Sequence, residues 1–428
     1  MNYEQAVAYV NDHIRLGGEP GLDRMRELLD LMGRPHEGYP IIHVAGTNGK
    51  TSTSRLATLI LVAHGLTTGT YTSPHLQHIE ERLAVNGRTS TPEEFAQAVT
   101  DVAAFADLRE AAGGVPNTYF ELTTAAGFAF FADQAVNGVV LEVGLGGRLD
   151  ATNVVDADVC VVTSIGLDHT EFLGNDLTSI AAEKLAITDP GAILVTGQLP
   201  DEAMTVANQT ARDLGIQHRR FDVDYGVGPY ERGVGGWLVT IEGAETTYED
   251  VFLPLHGRYQ LDNFAMAIAA AEGLVGRKLD VEAVRDAASV ATAPGRMEAL
   301  AASPFVMVDG AHNADGIATL VNSLQEEYPT TRWHLLLGVM GEKNVDQMIE
   351  DLAPITAGVV TTAAESERAL SATELAGRVA RAMPGTPVVA SHSVEEGLDM
   401  VRAEAGGTGA VLVTGSLYLV GEVRELLT

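Results

Sequence analysis

The sequence predicts an α/β protein: a larger domain built on a mainly parallel sheet and carrying a phosphate-binding loop, followed by a smaller C-terminal Rossmann-like α/β domain. Two observations carry this. Short apolar, β-type runs alternate with helical patterns along most of the 428 residues, as in a parallel sheet covered by helices. In addition, a glycine-containing segment ending in Gly-Lys-Thr-Ser lies between the first such run and the helix after it.

Taken in order, residues 39–45 (YPIIHVA) read as a buried strand and 50–64 as the following helix. Further strands are expected at 68–71, 138–143, 159–163 and 193–196, with helices at 92–106, 121–134, 177–187 and 201–214. Between 225 and 255 the pattern changes to Gly-rich turns and alternating Trp237, Val239 and Ile241, which suggests an antiparallel patch, and a helix follows over 261–275. The segment 291–296 (ATAPGR) breaks the helical run at its Pro-Gly pair and marks a boundary, giving domains 1–296 and 297–428. In the second domain strands are expected at 305–308, 334–338, 358–361, 388–390 and 410–414, and helices at 315–327, 345–352, 372–382, 394–405 and 417–426. There is no short-period repeat and no low-complexity tail.

Composition narrows the function classes. With 46% hydrophobic and 20% charged residues the chain is globular rather than disordered, and the single Cys160 cannot form an intramolecular disulfide, which favours the cytoplasm. No apolar run reaches the roughly 18 residues of a membrane helix, and Glu4 and Asp12 break any secretory pattern in residues 1–18, so neither membrane nor export is expected. The net charge of −31 opposes nucleic acid and suits a solvated surface in a salty cytoplasm. Only four lysines occur, at 50, 184, 278 and 343. A polyanion site must therefore gather positive potential locally.

Gly46-Thr47-Asn48-Gly49-Lys50-Thr51-Ser52 has the context of a phosphate-binding loop. Its glycines let the backbone curl so that successive N–H groups turn inward, the helix N-terminus adds partial positive charge, and Lys50 reaches terminal phosphates. Thr51 or Ser52 then offers a hydroxyl to Mg²⁺. In 141–150 (LEVGLGGRLD), Glu142 ends an apolar strand at the edge where ligands of open α/β sheets collect; it reads either as a Mg²⁺ carboxylate or as a loop cap. After the next strand, His169 reads as a metal ligand or a hydrogen-bonded loop histidine. Lys184 by itself reads as a solvated helix lysine, and Asn263 as a purine-reading or a surface amide. Asp309, ending a strand, suits ribose or a cation, while Asn313 or Asp315 caps the next helix. Arg296 is a candidate phosphate contact or a solvated arginine.

Together, 43–52 (HVAGTNGKTS), 71–76 (YTSPHL) with Glu81-Arg82 and Asn86-Gly87, Tyr119-Phe120-Glu121, 141–155 (LEVGLGGRLDATNVV), 166–169 (GLDH), Glu183-Lys184, 294–296 and 309–313 (DGAHN) resemble, in order, the folylpolyglutamate and dihydrofolate synthases of the Mur ligase superfamily. The resemblance runs from 21–24 (GLDR) to 414–418 (TGSLY). It implies a Mur-ligase-like central domain and a glutamate-ligase domain after it. By similarity, Gly46 to Ser52 bind ATP phosphates; Ser52, Ser73, Glu142 and His169 hold magnesium; and Lys184 is carbamylated and supports a second Mg²⁺. Asn263, Arg296, Asp309 and His312 match ATP contacts. Thr118, Tyr119, Phe120, Glu121, Leu149, Asp150 and Ala151 fall where the family holds the pterin-bearing substrate. Lys50, Lys184, His169 and Arg296 are the catalytic set so implied. Two positions depart from the folate-type pattern: Thr51 and Ala186 stand where Gly is usual.

The implied reaction is ATP-dependent: a carboxylate of dihydropteroate, or the γ-carboxylate of a folate, becomes an acyl phosphate that the amine of L-glutamate opens, with ADP and phosphate released. A hinge at 291–296, two Mg²⁺ ions, a monovalent cation as a further ion, and a monomeric state are implied with it. A Mur-type ligase acting on another carboxylate, and a nucleotide-binding homologue without ligase activity, are the rival readings.

Overall fold

A computed structural model describes residues 1–14, 21–341, 344–366 and 368–428; Lys343 lies outside them. The chain divides into two compact units, one of residues 1–254 and 261–291, the other of 255–260 and 292–428. The main part of the second unit thus begins at Thr292, inside the 291–296 segment, and the unit also takes in Leu255–Gln260, which includes the first two residues of the helix Tyr259–Val275.

In the first unit the described strands are β1 (Ile41–Ala45), β2 (Thr68–Tyr71), β3 (Leu83–Val85), β4 (Arg88–Thr89), β5 (Gly138–Glu142), β6 (Val159–Val162), β7 (Ile193–Thr196) and β8 (Gln217–Arg220). They form one sheet in the order β4-β3-β2-β5-β1-β6-β7-β8. All neighbours are parallel except β2 with β3 and β3 with β4. Every residue of β1 and β5 is buried, which is why these strands read as unbroken apolar runs: helices cover both faces of a parallel sheet. Val44 of β1 pairs with Glu142 of β5, so the carboxylate and the loop after β1 emerge side by side at the C-terminal edge. The β3–β4 hairpin turns on Asn86-Gly87, both with positive φ, as a two-residue hairpin turn requires.

A separate antiparallel sheet carries β9 (Gly226–Gly233), β10 (Gly236–Glu242) and β11 (Thr247–Leu253) in the order β11-β10-β9. In β10, Trp237, Val239 and Ile241 are buried, as the alternation predicts, although a register shift falls between Val239 and Ile241. Glu272 ties this sheet to the helix Tyr259–Val275 by accepting from the Tyr248 hydroxyl and the Ala244 N–H, each at 2.8 Å.

The second unit holds β12 (Glu298–Ala302), β13 (Phe305–Asp309), β14 (Trp333–Leu337), β15 (Thr356–Thr361), β16 (Val388–Ala390) and β17 (Ala410–Thr414), ordered β12-β13-β17-β14-β15-β16. Only β12 pairs antiparallel among them. Its core includes the buried Trp333, packed against Phe305 and edge-on to Tyr328.

Several elements differ from expectation. The helix expected from 121 begins at Tyr119, because Thr118 and Glu121 form a capping box. The one expected over 92–106 runs on to Ala111. The helices Tyr3–Asn11, Asp23–Leu31 and Val281–Ser289, the β3–β4 hairpin, β8 and β12 were not foreseen; β8 reads QHRR and has no apolar run to betray it. No helix among the described residues is long and apolar enough to cross a membrane.

Sheet and helix pack closely at Gly69 in β2, where an added Cβ would lie 2.7 Å from the ring of the buried Phe131. Gly69→Ala is expected to destabilise the first unit by about 1–3 kcal/mol through overpacking, and Phe131→Leu in the same chain to recover part of that loss. Thermal unfolding of the two single variants and the double variant checks this; strictly additive losses would contradict it.

Candidate active site

The loop between β1 and the helix Lys50–Ala63 is shaped by two glycines for different reasons. Gly46 has φ +154, and a Cβ there would fall 1.9 Å from Thr163 Oγ1. Gly49 caps the helix in the left-handed region at φ +87, and a Cβ there would meet Asn263 Oδ1 at 2.7 Å. No side chain larger than hydrogen fits either place without a shift. The β6 end braces the loop. Thr47 N–H donates to Ser164 O and Asn48 N–H to Ser164 Oγ, both at 2.9 Å, while Thr163 Oγ1 donates to Asn48 O at 2.6 Å. This corrects the expectation of a continuous inward row of amides, since the Thr47 and Asn48 N–H groups are occupied by the neighbouring strand. The first turn of the helix offers further N–H groups, such as those of Thr51 and Ser52, that have no intrahelical acceptor.

Lys50 bends back over the loop, its Nζ donating to Gly46 O at 2.9 Å and to Thr47 O at 3.3 Å. Lys184, from the helix Leu177–Leu185, reaches the same Gly46 carbonyl at 3.1 Å. It is 5% exposed, not the solvated helix lysine of the bare sequence reading. Burial and the nearby Lys50 ammonium press its pKa down to about 7, partly offset by Asp168 and Asp150. Near neutrality a large share of this amine is therefore uncharged.

Beside the lysines lies Glu142, 1% exposed. Thr51 Oγ1 donates to its Oε1 at 2.8 Å and Ser73 N–H to its Oε2 at 3.3 Å. The hydroxyl of Ser73 is buried and makes no hydrogen bond among the described residues. An acidic oxygen and an unsatisfied hydroxyl joined through one N–H suit a hard cation that takes the rest of its shell from phosphates and water. Ser52 is buried one residue beyond Thr51. His169 sits in a left-handed turn with its ring exposed, 3.9 Å from Asp168. Among the described residues no three His, Cys, Asp or Glu side chains converge as a protein-only metal cage.

The segments expected to hold the pterin frame the other side. Phe120 packs edge-on to Tyr71 and closely enough on the loop after β5 that a Cβ on Gly144 would sit 2.4 Å from its ring. The Tyr119 ring lies under the Arg82 guanidinium at 5.3 Å. Glu121 is committed inside the protein: its carboxylate accepts from Arg24 at 2.8 Å, Asn117 at 3.1 Å and the Thr118 N–H at 2.9 Å. Asp150 is also committed, accepting from the Leu145 N–H and the Thr152 hydroxyl at 2.9 and 2.6 Å. Since that hydroxyl's one proton goes to Asp150, the buried His43 donates from Nε2 to Thr152 at 2.9 Å. Glu121 and Asp150 thus shape the two segments, leaving Thr118, Tyr119, Phe120, Leu149 and Ala151 as their presented groups, with Leu149 exposed and Ala151 buried.

In the second unit, Asp309 ends β13 and accepts from the Met297 and Ala311 N–H groups at 2.9 and 2.8 Å. Burial raises its pKa, against the opposing effect of Arg296. Arg296 Nη1 donates to Gly295 O at 2.9 Å, His312 Nδ1 lies 2.8 Å from Gly310 O, and Asn313 caps the helix Ala314–Glu327. The structure therefore gathers Lys50, Lys184, Thr51, Glu142 and Ser73 around one sheet edge, with Asn263 against Gly49, and gathers Arg296 and Asp309 in the other unit. Sequence reasoning missed Thr163 and Ser164, whose only signal was their place at a strand end, and assigned no role to Arg82 although it quoted the Glu81-Arg82 pair.

Because the chain has four lysines, the ε-carbon ¹³C signals of lysine-labelled protein are few enough to follow individually. In CO₂-free buffer one signal, from Lys184, is expected to titrate near pH 7. In Lys50→Met, which removes a like charge, its pKa should rise. A Lys184 signal that titrates with the ordinary lysines in both proteins would contradict this electrostatic account.

Comparison with known proteins places these features in a lineage. Residues 44–271 match the Mur ligase middle domain and residues 295–417 the Mur ligase glutamate ligase domain. The dihydrofolate synthase/folylpolyglutamate synthase of Mycobacterium tuberculosis is 34% identical over 95% of this chain and 90% of that protein. The solved structure of Mycobacterium tuberculosis folylpolyglutamate synthase complexed with ADP matches with a TM-score of 0.95 at 33% identity, covering 99% of this chain and 98% of that one. Escherichia coli FolC in complex with DHPP and ADP matches at 0.87 and 30%, covering 100% of this chain and 97% of that one. With both domain matches falling on the loop, strand-end and second-unit residues described above, the chain belongs to the Mur ligase family, in its folylpolyglutamate and dihydrofolate synthase branch.

Proposed function

We propose that this chain is an ATP-dependent ligase that joins the amine of L-glutamate to the carboxylate of dihydropteroate, to the γ-carboxylate of a folate, or to both, through an acyl phosphate. The observation that carries the reading is the Gly46 carbonyl shared by Lys50 and the buried Lys184, beside Glu142 and Ser73. The likeness to ligases solved with ADP, and with DHPP and ADP, supports it. It acts as a monomer in the cytoplasm on small molecules alone.

In the first step a carboxylate oxygen of the acceptor attacks the γ-phosphorus of ATP, and the β–γ bridging oxygen leaves with ADP. In the second, the glutamate amine attacks the acyl carbon, phosphate departs and the amine loses a proton. The first step brings anions together, and the chain meets it with cations and dipoles fixed in advance. Lys50 and the first-turn N–H groups hold the phosphates, and Asn263 borders the loop at Gly49. Arg296, Asp309 and His312 are assigned to the nucleotide on the family pattern. Ser52, Ser73, Glu142 and His169 are the groups suited to hold two Mg²⁺ ions, and a monovalent cation accompanies them; when bound, magnesium neutralises phosphate charge. A partly uncharged Lys184 amine can add CO₂ and release a proton, becoming an anionic carbamate oxygen donor where a cationic lysine would repel a metal.

Replacing Lys184 with Ala is expected to leave the fold and ADP binding intact while lowering amide formation by a factor of about 10² or more. The check is ADP release and product formation with dihydropteroate, tetrahydrofolate and L-glutamate, each omitted in turn. Full turnover of Lys184→Ala in bicarbonate-free buffer would overturn the carbamate role. ADP release that ignores every folate acceptor would point instead to a ligase for another carboxylate, the rival for which Thr51 bonded to Glu142 is the specific departure.

A further inference from the structure

Arg82 is a buried cation without an anion. Its residue is 6% exposed, and no carboxylate among the described residues forms an ion pair with it. Nε donates to Nδ1 of His75 at 3.1 Å, the guanidinium lies over the Tyr119 ring at 5.3 Å, and Nη1 is buried without a hydrogen-bond partner among the described residues. The two carboxylates that precede it in sequence are occupied elsewhere. Glu81 accepts from the N–H groups of Leu76, Gln77 and His78, and Glu80 accepts from the Tyr3 hydroxyl. A guanidinium carries five N–H donors in a fixed fork, and leaving a buried one unpaired is costly. A neutral imidazole and an aromatic face hold this cation in place without discharging it.

Its position says which anion it serves. β2 and β3 are antiparallel, so Arg82, immediately before β3, lies at the same sheet edge as the C-terminal ends of β2, β5 and β1; the pairing continues past β2, with the Thr72 N–H donating to Arg82 O at 3.0 Å. Thr72 is followed by Ser73, whose hydroxyl is also unsatisfied and whose N–H is on Glu142. The strand order β3-β2-β5-β1 separates Arg82 from the phosphate loop by three strand spacings, roughly 14 Å. The guanidinium is thus set off from the backbone donors of the loop itself. It lies on the flank where Tyr119 and Phe120 stand.

We propose that Arg82 is the receptor for the carboxylate of the pteroyl acceptor, pairing with the acid that is to be phosphorylated while Tyr119 and His75 hold the guanidinium. The inference rests on the ligase reading above and adds a binding residue to it. Arg82 draws the acid to the edge that ends at Ser73 and Glu142.

The test compares dihydropteroate, which has a single carboxylate, with its carboxamide by calorimetry in the presence of AMPPCP. The wild-type protein should bind the acid about 10- to 100-fold more tightly than the amide, as expected for a charge-assisted pair. In Arg82→Met that preference should vanish by weakening of the acid alone, with amide and AMPPCP binding unchanged. Arg82→Lys, which keeps the charge and the stem, should retain part of the preference and covers the case in which the Met variant does not fold. An unaltered acid-over-amide ratio in either folded variant overturns the proposal, and so does an equal loss for acid and amide, the mark of a purely structural arginine. If the wild-type protein binds neither dihydropteroate nor tetrahydrofolate, the ligase reading fails, and this proposal with it; if it binds tetrahydrofolate but not dihydropteroate, this proposal alone fails, as it does when the Arg82 variants keep the preference while wild-type binding of dihydropteroate is intact.

Discussion

Two ammonium groups converge on one carbonyl oxygen, that of Gly46, and much of the candidate site follows from how the chain permits it. A carbonyl can accept both, since it has two lone pairs, but bringing two lysines to one acceptor sets like charge against like charge. Burial of Lys184 adds to the cost of its charged form. The result is that Lys184 is poised near neutrality, an effect of environment rather than of residue type. The geometry also requires a bare Gly46: any Cβ would strike Thr163, the residue that hydrogen-bonds Asn48 and holds the loop closed.

The sheet supplies the rest by register. Pairing Val44 with Glu142 places the carboxylate one strand from the loop, and the β2–β5 pairing of Tyr71 with Leu141 brings Ser73 to the same edge. Lys50, Glu142 and Ser73 stand at or just past the ends of strands whose own residues are buried. Positional precision thus comes from the most rigid part of the unit, and the chemistry-bearing residues are carried just past it, where the backbone is free to turn.

What was legible in the sequence tracks this division. The parallel sheet, the helix opening at Lys50, the strand ending at Glu142 and the alternation of β10 could be read because periodicity and burial coincide there. The polar β8 and the alanine-rich β12 could not, because neither shows an apolar β-type run, whereas the helix Asp23–Leu31 carries a stripe, Met25, Leu28 and Leu29, that the reading passed over. For the site, residue type and place in a motif sufficed to name Lys50 and Glu142. Lys184 had no local signal, since a lysine on a helix looks solvated until the fold buries it. The same limit hid the internal commitment of Glu121 and Asp150: a sequence motif marks a segment as important without saying whether its carboxylate faces a ligand or holds a turn.

Charge placement links the surface to the site. A chain with net charge −31 repels anionic substrates at long range, so capture of ATP and an acid depends on cations kept from neutralisation by the chain's own abundant carboxylates. At the site three cations lie against neutral groups, whereas the buried Arg219 elsewhere is paired with Glu245. Lys50 and Lys184 rest on carbonyl oxygens, and Arg82 on an imidazole and a phenol ring. Where carboxylates do approach, they are tied down by backbone N–H groups, as Glu81 is by three of them. Such an arrangement sacrifices some folded-state stability, since unpaired buried charge is costly, and the charge it leaves unspent becomes available when an anionic ligand enters.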